Sequence, residues 1–333
     1  MPMSIPVIDI APFLAGDPIG TRAVARQWAA AFETIGFATI VGHGVPDELG
    51  DRLHREARRF FELPMVEKRR NVPEGEQRAQ GYVAMGVESV GRTYGPNGSP
   101  PPADLCESLT FTYLDWERRV PDNAFDRSIF RPNIWPAEPP DLRRLVEGYF
   151  NQVHHLAKTL MEISALALEL PDGYFGPYYD RMISLLRLVR YPDQPVEPLP
   201  GQLRYGAHTD YTGFTILRQD DAPGGLQVEM PDGGWIDVAT VPGSFVINTG
   251  DLLSRWTNGR WKSNVHRVVN PPRHLTGSTE RLSIVLFTGP NNDALIECLP
   301  TCRDSANPAK DAPIRCWDHL MAKLRASMPE LRV

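Results

Sequence analysis

The chain of 333 residues has only four cysteines, no excess of basic residues and no long apolar run. Each shortage closes off a class of protein. Cys106, Cys298, Cys302 and Cys316 are scattered, with no CxxC pair and no histidines at zinc-finger spacing. Neither a disulfide scaffold nor a structural zinc module is expected. The Cys298/Cys302 spacing could hold a metal or close a disulfide, but ordinary reduced thiols are the expectation. Lys and Arg number 35 against 41 Asp and Glu, a formal net charge of −6, which offers nothing to nucleic acid or anionic lipid. The most apolar stretch, residues 160–170, is interrupted by Glu162 and Glu169. It falls well short of the roughly 20 residues that cross a bilayer. The opening MPMSIPVIDIAPF has neither the basic region nor the apolar core of a secretory signal, so the cytoplasm is the expected compartment.

What is present is ordinary globular composition with heavy punctuation. Hydrophobic residues make up 42% and charged residues 23%, enough to bury a sizeable core. The 32 prolines and 27 glycines favour many short elements. To about Gly81 the pattern is α/β: an apolar strand at residues 5–10, a helix over 20–35 with Val24, Trp28, Ala31 and Phe32 at helical spacing, a β-branched run at 37–41, and a helix from Pro46 to about Phe61. Residues 82–140 read as irregular, and a long amphipathic helix follows over about 141–170. Short β-rich runs then appear at 183–191, 214–218, 226–229, 234–238, 244–248, 264–269 and 281–288, separated by turn clusters such as DDAPGG, PDGG and TNGR. Such spacing argues for an antiparallel sandwich or barrel, closed by a helix over 313–324. The division expected is residues 1–140 as an N-terminal region with a substrate-facing loop and 141–333 as long helix, β-core and C-terminal helix, packed as one unit and mainly β with a helical layer.

Most of the eight histidines carry no chemical signal. His54, His154, His155 and His319 fall in helical stretches, His274 in a turn, and His43 in the glycine-flanked VGHGVP reads as a structural turn residue. His208 and Asp210, in GAHTDYTGFT, differ. They lead into a β-run, and i and i+2 on a strand project to the same face. His266, in KSNVHRVVN, supplies a second imidazole from a later run. Two histidines and one carboxylate make a facial triad that suits non-haem Fe(II), although zinc would accept the same set. Arg281 and Ser283 are again i and i+2, in the otherwise apolar RLSIVLF. An inward arginine needs an anionic partner, either a bound carboxylate or an internal acid, for which Asp251 and Glu229 are candidates.

At this point the chain resembles the isopenicillin N synthase-like branch of the Fe(II)/2-oxoglutarate-dependent oxygenases. The segments that carry the likeness run in family order: IPVIDI, ETIGFATIVGHGVP, RRFFELPMVEKRR, GYVAMG, DLCESLTF, YPDQ, AHTDYTGFTILRQDDAPGGLQVEMPDGGWIDV, PGSFVINTGDLLSRWTNGRWKSNVHRVV and RLSIVLF. The resemblance implies a double-stranded β-helix, a jelly-roll core, binding Fe(II), 2-oxoglutarate and O2. His208, Asp210 and His266 match the iron ligands. Arg281 and Ser283 match the pair that binds the far carboxylate of 2-oxoglutarate, with Tyr191 assisting. Phe287 matches an aromatic position beside the substrate. The implied reaction oxidises a small organic metabolite, by hydroxylation or by desaturation or ring closure, and releases succinate and CO2. Two departures stand out. Val189 replaces an asparagine common in plant members, and the interval from His266 to Arg281 is long, with the turn HLTGSTE inside it.

Isopenicillin N synthase keeps the R-x-S pair without using 2-oxoglutarate, so an oxidase of that kind is the alternative, with a zinc hydrolase or a non-enzymatic jelly-roll binding protein more distant. Tyr82, Phe111, Tyr211, Phe214 and Phe287 are the candidate cavity residues, and Arg78, Arg92 and Arg204 the candidate partners for an acidic substrate group. The glycine- and proline-rich loop over 86–105 is expected to close over the barrel mouth. The expected partner is a small-molecule substrate, with no nucleic acid and no membrane, and the protein a monomer or weak homo-oligomer.

Overall fold

Helix starts and strand runs in this chain are set by local chemistry. Asp17 accepts hydrogen bonds from the Ile19 and Gly20 amides at 3.1 and 3.0 Å, with Pro18 at the first helical position. In a computed structural model, which describes residues 4–74, 80–93, 102–114 and 131–327, the helices are α1 (Ala11–Leu14), α2 (Pro18–Thr34), α3 (Asp47–Glu62), α4 (Met65–Arg69), α5 (Leu142–Ala167), α6 (Gly176–Tyr179), α7 (Asp251–Trp256) and α8 (Cys316–Ser327). The strands are β1 (Val7–Asp9), β2 (Phe37–Val41), β3 (Gly81–Val83), β4 (Glu107–Phe111), β5 (Ile183–Tyr191), β6 (Tyr205–His208) and β7 (Phe214–Gln219). They continue as β8 (Leu226–Glu229), β9 (Trp235–Asp237), β10 (Phe245–Thr249), β11 (His266–Val268), β12 (Arg281–Gly289), β13 (Leu295–Ile296) and β14 (Ile314–Arg315).

The larger sheet has the order β1-β2-β10-β7-β12-β5-β4-β3, and the smaller one β6-β11-β8-β9. From β5 onward the chain passes back and forth between the two sheets, which wraps them into a jelly-roll core. β12 lies between β5 and β7, with Arg281 opposite Tyr191, Ser283 opposite Val189 and Gln219, and Phe287 opposite Leu185 and Thr215. Because strand side chains alternate, these residues share one face and Leu282, Ile284 and Leu286 the other. The second face joins Leu186, Leu188, Ile216 and Ile247 in the main core, under Trp28 and Phe32 of α2, Leu53 and Phe60 of α3 and much of α5. The first face looks toward the smaller sheet, where Val189, Tyr191, Val285 and Val268 cluster. Both faces of β12 are therefore covered, which explains its near-continuous apolar run.

The region expected to be irregular, residues 82–140, contains two paired strands. β3 pairs with β4, and β4 with β5 along Glu107–Phe111, extending the large sheet. β4 reads ESLTF, whose alternation of Ser108, Leu109, Thr110 and Phe111 is too short to stand out from the surrounding loop. β13 and β14, a short pair preceding α8, were likewise below the length at which periodicity is informative. The remainder of the expected loop and the position of Arg78 include residues 94–101 and 75–79, which lie outside the described residues.

Candidate active site

His208 ends β6 and His266 opens β11, and the two are direct partners across the smaller sheet, with ring centroids 4.2 Å apart. The register slips between this pair and the next, Val268 with Tyr205. Such an irregularity re-aims side chains at the edge of a sheet. The Nδ1 atoms of His208 and His266 lie 2.9 and 3.1 Å from the carbonyls of Gly206 and Asn264. A backbone carbonyl at Nδ1 fixes the proton there and leaves the Nε2 lone pair as a ligand. Burial, and then the facing imidazole of His266, holds His208 well below its ordinary pKa, so it is neutral and ready to bind a cation.

Asp210 lies past the end of β6, in the connection to β7, rather than on the strand that the H-x-D spacing suggested. Its carboxylate nonetheless converges on the two rings: Oδ1 is 3.7 Å from Nε2 of His208 and Oδ2 is 3.9 Å from Nε2 of His266. Thr215 Oγ1 and Asn248 Nδ2 donate to Oδ2 at 2.5 and 2.6 Å. Those two donors are opposite one another in the β7–β10 ladder and so share a face. Burial raises the carboxyl, but the two imidazoles and the two donors outweigh it and hold Asp210 below the ordinary carboxylate range. Three buried ligand atoms within 4.8 Å of one another, two imidazole nitrogens and a carboxylate oxygen, fit one divalent iron with coordination positions left open.

Arg281, at the start of β12, is buried, as are Ser283 and Tyr191. Neither Asp251 nor Glu229 is its acid. Asp251 pairs with Lys323 at 2.5 Å, whereas the carboxylate that approaches Arg281 is Asp220, with Oδ1 at 3.8 Å. The guanidinium is held mainly by backbone: Nη1 donates to the carbonyls of Asp220 and Ala222 at 3.2 Å, and Nη2 donates to Gln219 Oε1 at 2.7 Å. Its Nε is buried without a hydrogen-bond partner.

Three of the five aromatic cavity candidates belong elsewhere. Tyr82 donates its hydroxyl to Glu107 and packs on Phe60. Phe111 stacks on Trp135, and Phe214 meets Trp28, Phe32 and Trp261. All three lie in the main core under the helices, because the parity of their strands turns them away from the barrel interior. Phe287 is on the interior face, and Tyr211 directly follows Asp210, with its carbonyl bonded by His319 at 2.9 Å. What the sequence reading missed is Arg187. This guanidinium on the interior face of β5 pairs with Glu88 and donates to Ser108 at 2.8 Å and to the Tyr205 hydroxyl at 3.1 Å. The Tyr205 ring in turn lies edge-on to His208 at 5.0 Å. The signal was available: residues 187, 189 and 191 share the parity of Tyr191.

Comparison with known proteins agrees with this geometry. Residues 182–290 match the model of the 2OG-Fe(II) oxygenase superfamily, and residues 5–138 match that of the non-haem dioxygenase in morphine synthesis N-terminal region. A 2-oxoglutarate-Fe(II) type oxidoreductase of Aspergillus fumigatus is 34% identical over 98% of this chain and 94% of its own length. The chain belongs to the 2OG-Fe(II) oxygenase superfamily. A homoarginine-6-hydroxylase of Glycine max is 33% identical over 98% of both chains. Among solved structures, a full-length Neurospora crassa protein in complex with alpha-KG and thymine superposes with a TM-score of 0.82 at 31% identity, covering 98% of this chain and 97% of that one.

The enzyme is thus a 2-oxoglutarate-dependent dioxygenase of small molecules, using Fe(II) and O2. The zinc-hydrolase and binding-protein alternatives fall away with that membership, and the relatives and structural neighbour named for 2-oxoglutarate or alpha-KG speak against the oxidase. No described helix is long and apolar enough to cross a membrane.

Proposed function

We propose that this dioxygenase hydroxylates a small polar metabolite, with His208, Asp210 and His266 holding the iron and Arg281, Ser283 and Tyr191 holding the far carboxylate of 2-oxoglutarate. The convergence of the three ligand atoms at one buried point carries the reading. Iron bound there would supply the activation of O2 that is coupled to decarboxylation of 2-oxoglutarate. One oxygen atom would enter the substrate and the other succinate, with loss of CO2. The protein's own part is placement. Arg281, on the interior face of β12, offers a planar guanidinium to a carboxylate. Ser283 and Tyr191, its neighbours on the same face, add hydroxyl groups. Hydrophobic Phe287 and the polar set Arg187, Ser108 and Tyr205 bound the interior on the ligand side, and their polarity, together with relatives named for homoarginine and validamycin A and a neighbour solved with thymine, supports a heteroatom-rich substrate. Desaturation or ring closure would require a different substrate pose, not different ligands. In this account the enzyme is cytoplasmic, a monomer or weak homo-oligomer without nucleic-acid partners, in which residues 1–140, with a substrate-facing loop, and residues 141–333 pack as one unit.

The test measures iron content and conversion of 2-oxoglutarate to succinate in the wild type and in His208→Ala, Asp210→Ala and His266→Ala, with thymine, homoarginine and validamycin A as trial substrates. Each variant should lose both iron and succinate formation. Full iron content and turnover in any one of them would remove that residue from the site.

A further inference from the structure

Arg204, four residues before His208, is fully buried. Its Nη1 donates to the Pro223 carbonyl at 2.7 Å and its Nη2 to the Thr279 carbonyl, and Nε has no hydrogen-bond partner. All of these acceptors are neutral, and no carboxylate forms an ion pair with Arg204 among the described residues. Its neighbour is another cation. The Gly224 carbonyl accepts from Arg204 Nη1 and from Arg281 Nη1, both at 3.4 Å, so two buried guanidinium groups meet at a single oxygen. That turn depends on glycine. Gly224 has φ +68°, and a Cβ there would come within 2.7 Å of the Pro271 nitrogen.

Among the described residues, the acid that reaches ion-pair distance of either guanidinium is Asp220, and it is committed elsewhere. Its Oδ1 is 3.8 Å from Arg281, while its Oδ2 serves Arg58 at 3.1 Å and the Leu282 amide at 2.8 Å. Two adjacent buried cations facing one distant, shared carboxylate leave positive charge without compensation, which is costly unless an anion joins them. Burial, and then the proximity of Arg281, lowers Arg204 to about 10, the direction expected for a guanidinium crowded by another.

We propose that Arg204 is a second binding residue for the far carboxylate of 2-oxoglutarate, so that this enzyme reads its cosubstrate with a pair of guanidinium groups rather than with Arg281 alone. The inference rests on the assignment of Arg281 to that carboxylate. In this arrangement the two free Nε donors and the doubled charge favour a 2-oxo acid ending in a carboxylate over one without it. The carbonyls of Pro223, Gly224 and Thr279 accept from Nη1 and Nη2 and hold the Arg204 guanidinium in place, leaving Nε as the donor without a protein partner.

The experiment compares anaerobic calorimetric binding of 2-oxoglutarate and of oxalate, which has the chelating end but no far carboxylate, to the Fe(II)-loaded protein. Arg204→Met should weaken 2-oxoglutarate by about 10-fold or more, as expected for a lost charge-assisted contact, and leave oxalate within about twofold. Arg204→Lys, which keeps the charge, should retain most of the preference for 2-oxoglutarate and serves as the deciding variant if Arg204→Met does not fold. Unchanged 2-oxoglutarate affinity in Arg204→Met, or equal weakening of both ligands in either variant, would overturn the proposal and leave Arg204 as a fastener of the Gly224 turn. Arg281→Met in the same assay separates the two readings. If it discriminates between the ligands and Arg204→Met does not, only the role of Arg204 fails. If neither discriminates, the Arg281 assignment fails with it.

Discussion

Replacing Asn248 with alanine should weaken iron binding without touching any of the three ligand side chains. Asn248 Nδ2 and Thr215 Oγ1 both donate to Oδ2 of Asp210, at 2.6 and 2.5 Å, so the carboxylate is oriented by two bonds from one rung of the β7–β10 ladder. A hydrogen bond to a charged group contributes roughly 1.5–3 kcal/mol. Here the acceptor is buried and ionised, which puts the loss toward the upper part of that range. Part of that energy holds the carboxylate in its metal-binding orientation, and groups of this kind typically alter metal affinity by about 10- to 100-fold. The expected result for Asn248→Ala is therefore a loss of about 10- to 100-fold in Fe(II) affinity, measured anaerobically by competition with a chelator. Thr215→Val should give a loss of the same order. The double variant should lose more than either, because the buried carboxylate then keeps no donor to Oδ2 among the two that orient it. Urea unfolding of the metal-free proteins supplies the control. Fe(II) affinity unchanged in a folded Asn248→Ala protein would refute the argument. So would a drop in stability with no drop in affinity, since the bond would then serve the fold and not the ligand.

Two further outcomes follow from the buried charges. Lys68 and Glu107, with side chains 7% and 6% exposed, pair at 2.7 Å, and Arg190 reaches the other oxygen of Glu107 at 3.0 Å. Glu107→Leu strands the Lys68 ammonium on the Phe61 carbonyl alone among these partners and should destabilise the protein by about 3–5 kcal/mol in urea unfolding, a loss under about 1 kcal/mol being inconsistent with the pairing. Asp104 is pushed up to about 6, first of all by burial, while it accepts from the amides of Val90 and Gly206. A raised folded-state pKa means that the fold binds the proton more tightly than the unfolded chain, so the cost of burying the ionised form is present above about pH 6 and is relieved as pH falls toward the ordinary carboxyl value. Wild type should consequently gain about 2 kcal/mol relative to Asp104→Asn between pH 7 and pH 4.5. A stability difference that does not change with pH would show that Asp104 is not strained by burial.

The candidate ligands were legible in the sequence because their chemistry is local in kind: two imidazoles and a carboxylate in β-rich surroundings, with an arginine and a serine sharing one strand parity. The long elements were legible for the same reason. The helix expected over 141–170 is observed as Leu142–Ala167, and the runs at 183–191 and 226–229 are the strands Ile183–Tyr191 and Leu226–Glu229. β3 and β4 were not legible, because runs of three and five residues are too short for periodicity to set them apart from the loops around them.

Which residues line the interior was decided only by the tertiary structure. Parity along one strand says that Arg281, Ser283 and Phe287 share a face, but it cannot say which face meets the helices and which meets the second sheet. That is settled by register across several strands, and it sent Tyr82, Phe111 and Phe214 to the core and Arg187 to the interior. Convergence was also beyond the sequence. Asp210 lies off the strand that suggested it, and it meets the two histidines because Thr215 and Asn248, 33 residues apart in the chain, come to lie opposite one another. Likewise, nothing in the order of residues announces that Arg204 and Arg281 share one carbonyl, since that contact exists only once two sheets and the Gly224 turn have closed around it. Local pattern specifies which groups a segment can offer, and long-range packing decides which of them meet.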